Sequence, residues 1–580
     1  MRAAFALVCL AVAAGSLAAC DRESGGAFSP TSSSPADPTG ASQTVGETTT
    51  TATPETIGAP GAESPTTTVP TTQDAPADIT TSSAATGGIA TTTTRPGAAT
   101  RSLWERIQES GGTGLGDSLY PLLGNAGYDV VSYGIEMSFD PVTQVMSADS
   151  TITAVATADL DLFSLDFFGM QIHGVTVNGF SADFEQVSEE LVIDPSQLLM
   201  EGDRLVVMVS YEGVVASRPH TSIPGFSAGG HRTRDGLTFF VLNEPDGSAA
   251  WAPFNDHPLD KASVTVEVEV PSGWTVVSGG RLVEEREGEE TTAFRWSMEH
   301  PVAPYLIPLA IGPLISREEP DTLDLEITTW YPEGLDASLL DAFSRQDEMI
   351  RFFAERFGPY PFETFGALVV DIGVGLALEH QTLPTYDLSA TAERVVVHEL
   401  AHQWFGNSVS VADWSDIWLN ESFATLAEWL WIEETAGVAE YDGTVADSYG
   451  LFSGEVFFGE GVSTDQATAA ATNRFYPPGK PPADDLFNYT VYARGALTLV
   501  ALRDRLGDEP FFDMTRTWHD KHRYGNATTA EFLSLVEETG GPKAKALTES
   551  WLYDPLPPAM PERDLYPLEY EESSHQTQSG

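Results

Sequence analysis

His398-Glu399-Leu400-Ala401-His402, with Glu421 in Trp418-Leu419-Asn420-Glu421-Ser422 nineteen positions beyond His402, decides how the rest of the chain is read. On a helix, positions i and i+4 share a face, so the two imidazoles can reach one tetrahedral metal. Glu399 lies beside the first of them, where its carboxylate meets metal-bound water rather than the metal. Glu421 falls on the next strong helical pattern and supplies a carboxylate. Two histidines and one carboxylate leave a fourth position open, as a hydrolytic zinc requires, and this ligand set favours zinc, one per chain. A solvated or core histidine pair would account for the first stretch alone, but not for the second. Glu428, seven residues after Glu421, shares its helix face. It reads either as a surface glutamate or as the partner that orients a ligand imidazole.

Around this centre the chain divides by pattern. Val264, Val266, Val268 and Val270 alternate with Thr265, Glu267 and Glu269, the period of a half-buried strand. Similar runs at Arg204 to Tyr211 and Leu237 to Val241, separated by Gly, Pro and Asn turns, predict an N-terminal antiparallel β sandwich or saddle over 126–315. After Pro320 the period changes. Leu340, Phe343, Ile350, Phe353 and Phe357 recur at helical intervals up to Gly358-Pro359. Further helical patterns cover 391–405, 421–434 and 493–506, and Thr528 with Glu531 forms a capping box for a helix closed by Gly540. A mainly helical domain is therefore expected over 316–555, followed by a tail at 556–580. The fold class is α+β and multidomain.

The N-terminus reads as export machinery. Arg2 and the apolar run Ala3 to Leu17 lead into Leu17-Ala18-Ala19-Cys20, too short for a permanent membrane span. The small residues before Cys20 resemble a bacterial lipobox, which makes 1–20 a lipoprotein signal peptide and Cys20 the lipidation site. Residues 21–100 are almost entirely Thr, Ser, Pro, Gly, Ala and scattered acids. Such a composition buries too little to order itself, and a tether of that length spans on the order of 50 Å. The only cysteines are Cys9 and Cys20, so the body has neither disulfides nor a thiol catalyst. With 29 basic and 85 acidic residues the formal charge is −56, which makes nucleic acid a poor partner.

The run His398 to Asn407 (HELAHQWFGN), followed by Trp418-Leu419-Asn420-Glu421, resembles the aminopeptidase N family of gluzincins. Trp251 to Lys261 (WAPFNDHPLDK), Val491-Tyr492-Ala493-Arg494-Gly495 and Tyr524 to Thr528 resemble further landmarks of that family, in order along about 400 residues. The resemblance implies a thermolysin-like catalytic domain, with Glu399 as general base and Tyr492 as the phenol that stabilises the oxyanion. It implies that Glu379, in Leu376-Ala377-Leu378-Glu379-His380, and Glu244, in Asn243-Glu244-Pro245, bind the substrate's free α-amine. Leu376, His380 and Leu242 stand where the family has glycine, asparagine and glutamine. About 25 residues follow Asp554, so the family's large C-terminal helical domain is expected to be missing and the cleft open.

The expected activity is removal of N-terminal residues from peptides by a lipid-anchored enzyme on the outer side of a membrane, periplasmic or extracellular. The alternatives are a zinc endopeptidase with an open cleft and a non-catalytic, surface-anchored scaffold. The family's leukotriene hydrolase branch opens lipid epoxides, and no residue here singles that chemistry out.

Overall fold

A computed structural model describes residues 101–567 except 111, 224–225, 320–323 and 454–475. The signal peptide at 1–20, Cys20, the tether at 21–100 and the last thirteen residues of the tail lie outside the described residues. Among the described residues, no helix is long and apolar enough to cross a membrane.

Alternation builds the first half. An eight-stranded sheet runs in the order Arg281–Glu287, Thr291–Val302, Ala262–Pro271, Tyr128–Phe139, Val145–Ala156, Arg204–Val214, Gln171–Val177, Phe180–Ser181. Every neighbouring pair is antiparallel except Tyr128–Phe139 with Ala262–Pro271, which run parallel with Ile135 opposite Val266. Val264, Val266, Val268 and Val270 all point inward and are buried, as their spacing requires. A five-stranded sheet, Thr275–Ser278, Leu309–Gly312, Phe239–Leu242, Ser227–Arg232 and Ser217–Pro219, packs against it. The rings of Phe139 and Phe239 meet at 5.1 Å, and Trp296 donates its indole N–H to the Val276 carbonyl across the two layers.

Helix α1 (Leu103–Ser110) lies ahead of the expected β domain and buries Ile107 against Leu162 and Val192. The segment after it reaches both halves of the molecule. Asp117 sits 3.2 Å from His257 of the β half and accepts the Trp414 amide of the helical half at 2.7 Å.

The second half contains a five-stranded sheet that helical periodicity concealed: Leu314–Glu318, Glu326–Pro332, Thr364–Val370, Thr385–Asp387, Ala377–Leu378. Its first strand straddles position 315/316 and pairs here, with Glu326–Pro332. Thr364–Val370 is buried at every position, so it shows no alternation to read. Among the described residues, seven α-helices complete this half: α2 (Gln346–Phe357), α3 (Glu393–Ala401), α4 (Trp418–Ala436), α5 (Val438–Ser453), α6 (Gly495–Leu506), α7 (Asp508–His522) and α8 (Thr529–Tyr553). α2 ends at Gly358, whose φ of 103° suits glycine, and its carbonyl accepts the Trp404 indole N–H at 2.8 Å.

The Thr528–Glu531 capping box opens α8, but the helix does not end at Gly540. It breaks at Gly541 (φ 73°), and Pro542 restarts a second helical stretch to Tyr553. Proline lacks an N–H but tolerates the first turn, so the break is a restart rather than a stop.

Buried Arg494, whose guanidinium bonds only main-chain carbonyls among the described residues, ties the end of α8 to the turn before α6. It donates to the carbonyls of Trp551 and Pro555 at 3.1 Å each and also to Asp554. Replacing it by Met leaves those carbonyls unpaired in the interior. The expected loss is about 2–4 kcal/mol of folding stability, read from urea unfolding midpoints. An unchanged midpoint would show that water replaces the guanidinium at no cost.

Candidate active site

α3 and α4 pack so that the Nε2 atoms of His398 and His402 lie 3.3 and 3.5 Å from the same oxygen of Glu421. α3 formally ends at Ala401, but His402 keeps helical dihedrals, which preserves the i, i+4 alignment. The other nitrogen of each ring is already engaged. His398 Nδ1 is 2.7 Å from Glu428, and His402 Nδ1 is 3.1 Å from the Phe405 carbonyl. Both acceptors hold the proton on Nδ1, which leaves both Nε2 lone pairs turned toward Glu421. Three convergent donors of the types N, N and O fit zinc, with room for water or substrate as a fourth ligand. Gly406 makes the bend behind the second imidazole possible. Its φ is 126°, and a Cβ there would lie 3.2 Å from His402 Nδ1.

Four carboxylates crowd the centre: Glu244, Glu379, Glu399 and Glu421 are each at most 8% exposed. Burial pushes Glu399 up to about 8, partly offset by the imidazoles of His398 and His402. Burial also raises Glu421, but His402 and His398 outweigh it and hold the group down at about 2. Burial, then the charges of Glu379, Glu421 and Glu399, put Glu244 well above the ordinary carboxylate range. Oε1 of Glu244 and Oε1 of Glu379 have no hydrogen-bond partner among the described residues. Two buried carboxylate oxygens left unpaired at one centre favour a cationic ligand.

Tyr492 stands over the site with its ring stacked on His398 at 5.9 Å. Burial, reinforced by the surrounding carboxylates, keeps its phenol protonated far above neutral pH and so a hydrogen-bond donor. It sits in a π-helical turn, Thr490–Arg494. Ser422, next to Glu421, donates to the Val491 carbonyl at 2.7 Å and pins that turn to α4.

The structure thus gathers His398, Glu399, His402, Glu421, Tyr492, Glu379, Glu244 and Glu428 at one centre. Sequence reasoning missed the residues that hold them. Gln403 accepts the Thr382 amide and donates to the Glu379 carbonyl, and Asn407 donates to the same carbonyl at 2.7 Å. The edge strand Ala377–Leu378 and Glu379 are therefore clamped by the segment that carries the histidines. Lys261 reaches from the β half to the carbonyls of Asn407, Ser408 and Gly525, and burial lowers its ammonium to about 7. The three distant motifs WAPFNDHPLDK, HELAHQWFGN and Tyr524 to Thr528 meet at this one side chain. Arg394, one turn before His398, lies 3.4 Å from the second oxygen of Glu428. Arg394 was visible at i−4 of the motif, but nothing local announced its partner.

Glu428 turns out to be buried rather than superficial, because Arg394 and His398 take one oxygen each. Glu428→Gln is expected to weaken zinc binding about 10–100-fold, since the imidazole loses the acceptor that fixes its proton and orientation. Competition against a chromophoric chelator measures this; an unchanged zinc affinity would return Glu428 to a packing role.

Residues 342–551, which include both histidines, Glu421 and Tyr492, match the family description "Peptidase family M1 domain". The crystal structure of an M1 zinc metallopeptidase from Deinococcus radiodurans superimposes with a TM-score of 0.70 at 29% identity, covering 77% of this chain and 99% of that one. Residues 342–551 thus match a peptidase family M1 domain. Among the curated relatives, the aminopeptidase N of Streptomyces lividans is 27% identical over 420 residues, 67% of this chain and 46% of the relative. The aminopeptidase N of Lactococcus lactis is 25% identical over 330 residues, covering 53% and 38%. The chain spans half or less of the length of these curated relatives, but the whole length of the Deinococcus structure.

Proposed function

We propose that this protein is a zinc aminopeptidase that removes N-terminal residues from peptides at the cell surface, exported as a lipoprotein and anchored through Cys20. The observation that carries the catalytic reading is the pair of buried, unpartnered oxygens on Glu244 and Glu379 beside the His398–His402–Glu421 donor set. An α-ammonium group satisfies both carboxylates and stops the chain there, which places the first peptide bond over the metal ligands. The M1 structure from Deinococcus radiodurans bound to a Tyr-Ser-Ala substrate agrees with a peptide in such a cleft. The lipobox at Leu17 to Cys20 and the Thr/Ser/Pro-rich stretch after it support the location.

Zinc held by His398, His402 and Glu421 supplies a Lewis acid that brings water's pKa down to about 7. Glu399, one residue along α3 from the first ligand, takes the proton of the attacking water and delivers it to the leaving amine. The Tyr492 phenol donates to the oxygen that gains charge as the carbonyl becomes tetrahedral. Glu244 and Glu379 hold the ammonium, and the Gln403 and Asn407 amides keep the Glu379 strand at its distance from α3.

The test is a peptide pool, half of it N-acetylated, followed by mass spectrometry. Stepwise loss from free N-termini only, abolished by chelation, supports the proposal. Cleavage inside acetylated peptides would make the enzyme an endopeptidase, and a zinc-loaded protein inert toward both halves would make it a scaffold.

A further inference from the structure

Arg394 stands one turn before His398 on the same face of α3, and no step of the proposed reaction uses its charge. His398 shows on which side of the site it lies. The Nε2 of that ring faces Glu421 at 3.3 Å and the Nδ1 faces Glu428 at 2.7 Å, and the two nitrogens of an imidazole point apart. Glu421 borders Glu244 and Glu379, whose oxygens lie within 4.8 Å of its own. Glu428 holds Arg394 at 3.4 Å with its second oxygen. Arg394 and the two carboxylates proposed to hold the amine are therefore on opposite sides of the His398 ring. Tyr489 borders the same end, since its phenol lies in the field of Glu428 and of Arg394, and it stands three residues before Tyr492.

Hydrogen bonding is incomplete at both ends, in opposite senses. Glu244 and Glu379 each keep an unpartnered acceptor. Arg394 keeps a buried donor, Nη2, with no partner among the described residues, although its side chain as a whole is 31% exposed. Glu428 engages only the Nε edge of the guanidinium. A buried donor without an acceptor is costly, and the flat edge of a guanidinium matches a carboxylate, each oxygen taking one N–H. Orphan acceptors at one end and an orphan donor at the other complement a short zwitterion, a peptide with both termini free. Length narrows the choice. One turn of α3 rises about 5.4 Å and an extended peptide advances about 3.3 Å per residue, so a carboxylate reaching Arg394 ends a chain about two residues past the cut.

We propose that Arg394 is a specificity-determining residue that receives the C-terminal carboxylate of short peptides, so that the enzyme favours tripeptides with both ends free. The direction in which the peptide lies rests on the aminopeptidase reading.

Steady-state kinetics of the zinc-loaded full chain test this with four substrates: L-leucyl-glycyl-glycine, its C-terminal amide, and a leucyl-pentaglycine and its amide. The tripeptide acid should show a KM about 10–100-fold below that of its amide, the usual worth of a hydrogen bond to a charged group, with similar kcat. The longer pair should show no difference, because its end lies beyond Arg394. Arg394→Gln should abolish the preference for the tripeptide acid, and Arg394→Lys should keep part of it, having the charge without the fork. Any loosening of Glu428 in these variants affects acid and amide alike and cancels in their ratio, so a merely supporting role for Arg394 leaves the ratio unmoved.

Equal KM values for the tripeptide acid and amide in the wild type would overturn the proposal, as would a ratio that survives Arg394→Gln. Failure of the aminopeptidase reading looks different, for the wild type then cleaves none of the four substrates. Calorimetric binding of the tripeptide and its amide to zinc-loaded Glu399→Gln still decides the contact in that case. A tighter acid, levelled by adding Arg394→Gln, sustains it, and equal dissociation constants overturn it.

Discussion

Glu399→Gln is expected to lower kcat by about 10²–10⁴-fold while the protein still binds one zinc. The side chain is 5% exposed and lies one residue from His398, so an amide of the same shape keeps the packing and removes only the proton acceptor. The main-chain carbonyl of Glu399, which accepts from Gln403, is untouched by the change. The loss corresponds to about 3–5 kcal/mol of transition-state stabilisation, and KM should move little because the substrate is held elsewhere. Steady-state kinetics with zinc measured on the same samples decides it. If kcat falls only because zinc is lost, Glu399 is a structural support of the metal and the general base must be sought among the other carboxylates.

Tyr492→Phe is expected to cost about 10²–10³ in kcat, the usual worth of one oxyanion donor, again with a nearly unchanged KM. The phenylalanine ring keeps the stack on His398, so zinc affinity and stability serve as internal controls. The same position can be disturbed without touching the phenol. A Cβ on Gly495 would lie 1.7 Å from Ser422 Oγ, so Gly495→Ala must push α6 and the Tyr492 turn away from α4. Gly495→Ala should therefore reduce kcat, and adding Ser422→Gly should restore part of it by removing the clash. That recovery is a coupling between touching residues, which two independent losses would not show. If Tyr492→Phe retains full kcat, the phenol takes no part in the reaction and Gly495 matters only for packing.

Local sequence determined what depends on neighbours in the chain. His398, Glu399 and His402 lie within five consecutive residues of helical backbone, and the spacing alone makes the imidazoles share a face. The strand at Ala262–Pro271 was legible because one face is wet, which writes a period of two into Val264 to Val270. Thr364–Val370 carried no such record, being buried on both faces. Where every side is interior, no periodicity distinguishes strand from helix.

Glu244, Glu379 and Tyr492 were matched through a family resemblance and not through any property of their own segments. Their meeting depends on three folded facts that no window of sequence contains. Gln403 and Asn407 clamp the Glu379 strand, Ser422 and Gly495 bring the Tyr492 turn against α4, and Lys261 locks the β half onto the loop after the histidines. Arg394, and the part Arg494 plays in tying α8 to the turn before α6, were silent in the sequence for the same reason. A lone charge or hydroxyl in a sequence has no partner until the chain folds, and only burial makes the missing or present partner consequential. Helical geometry determined the metal-binding face of α3. Long-range packing decided what surrounds it, because electrostatic and hydrogen-bonding roles belong to pairs of atoms that only the tertiary structure brings within reach.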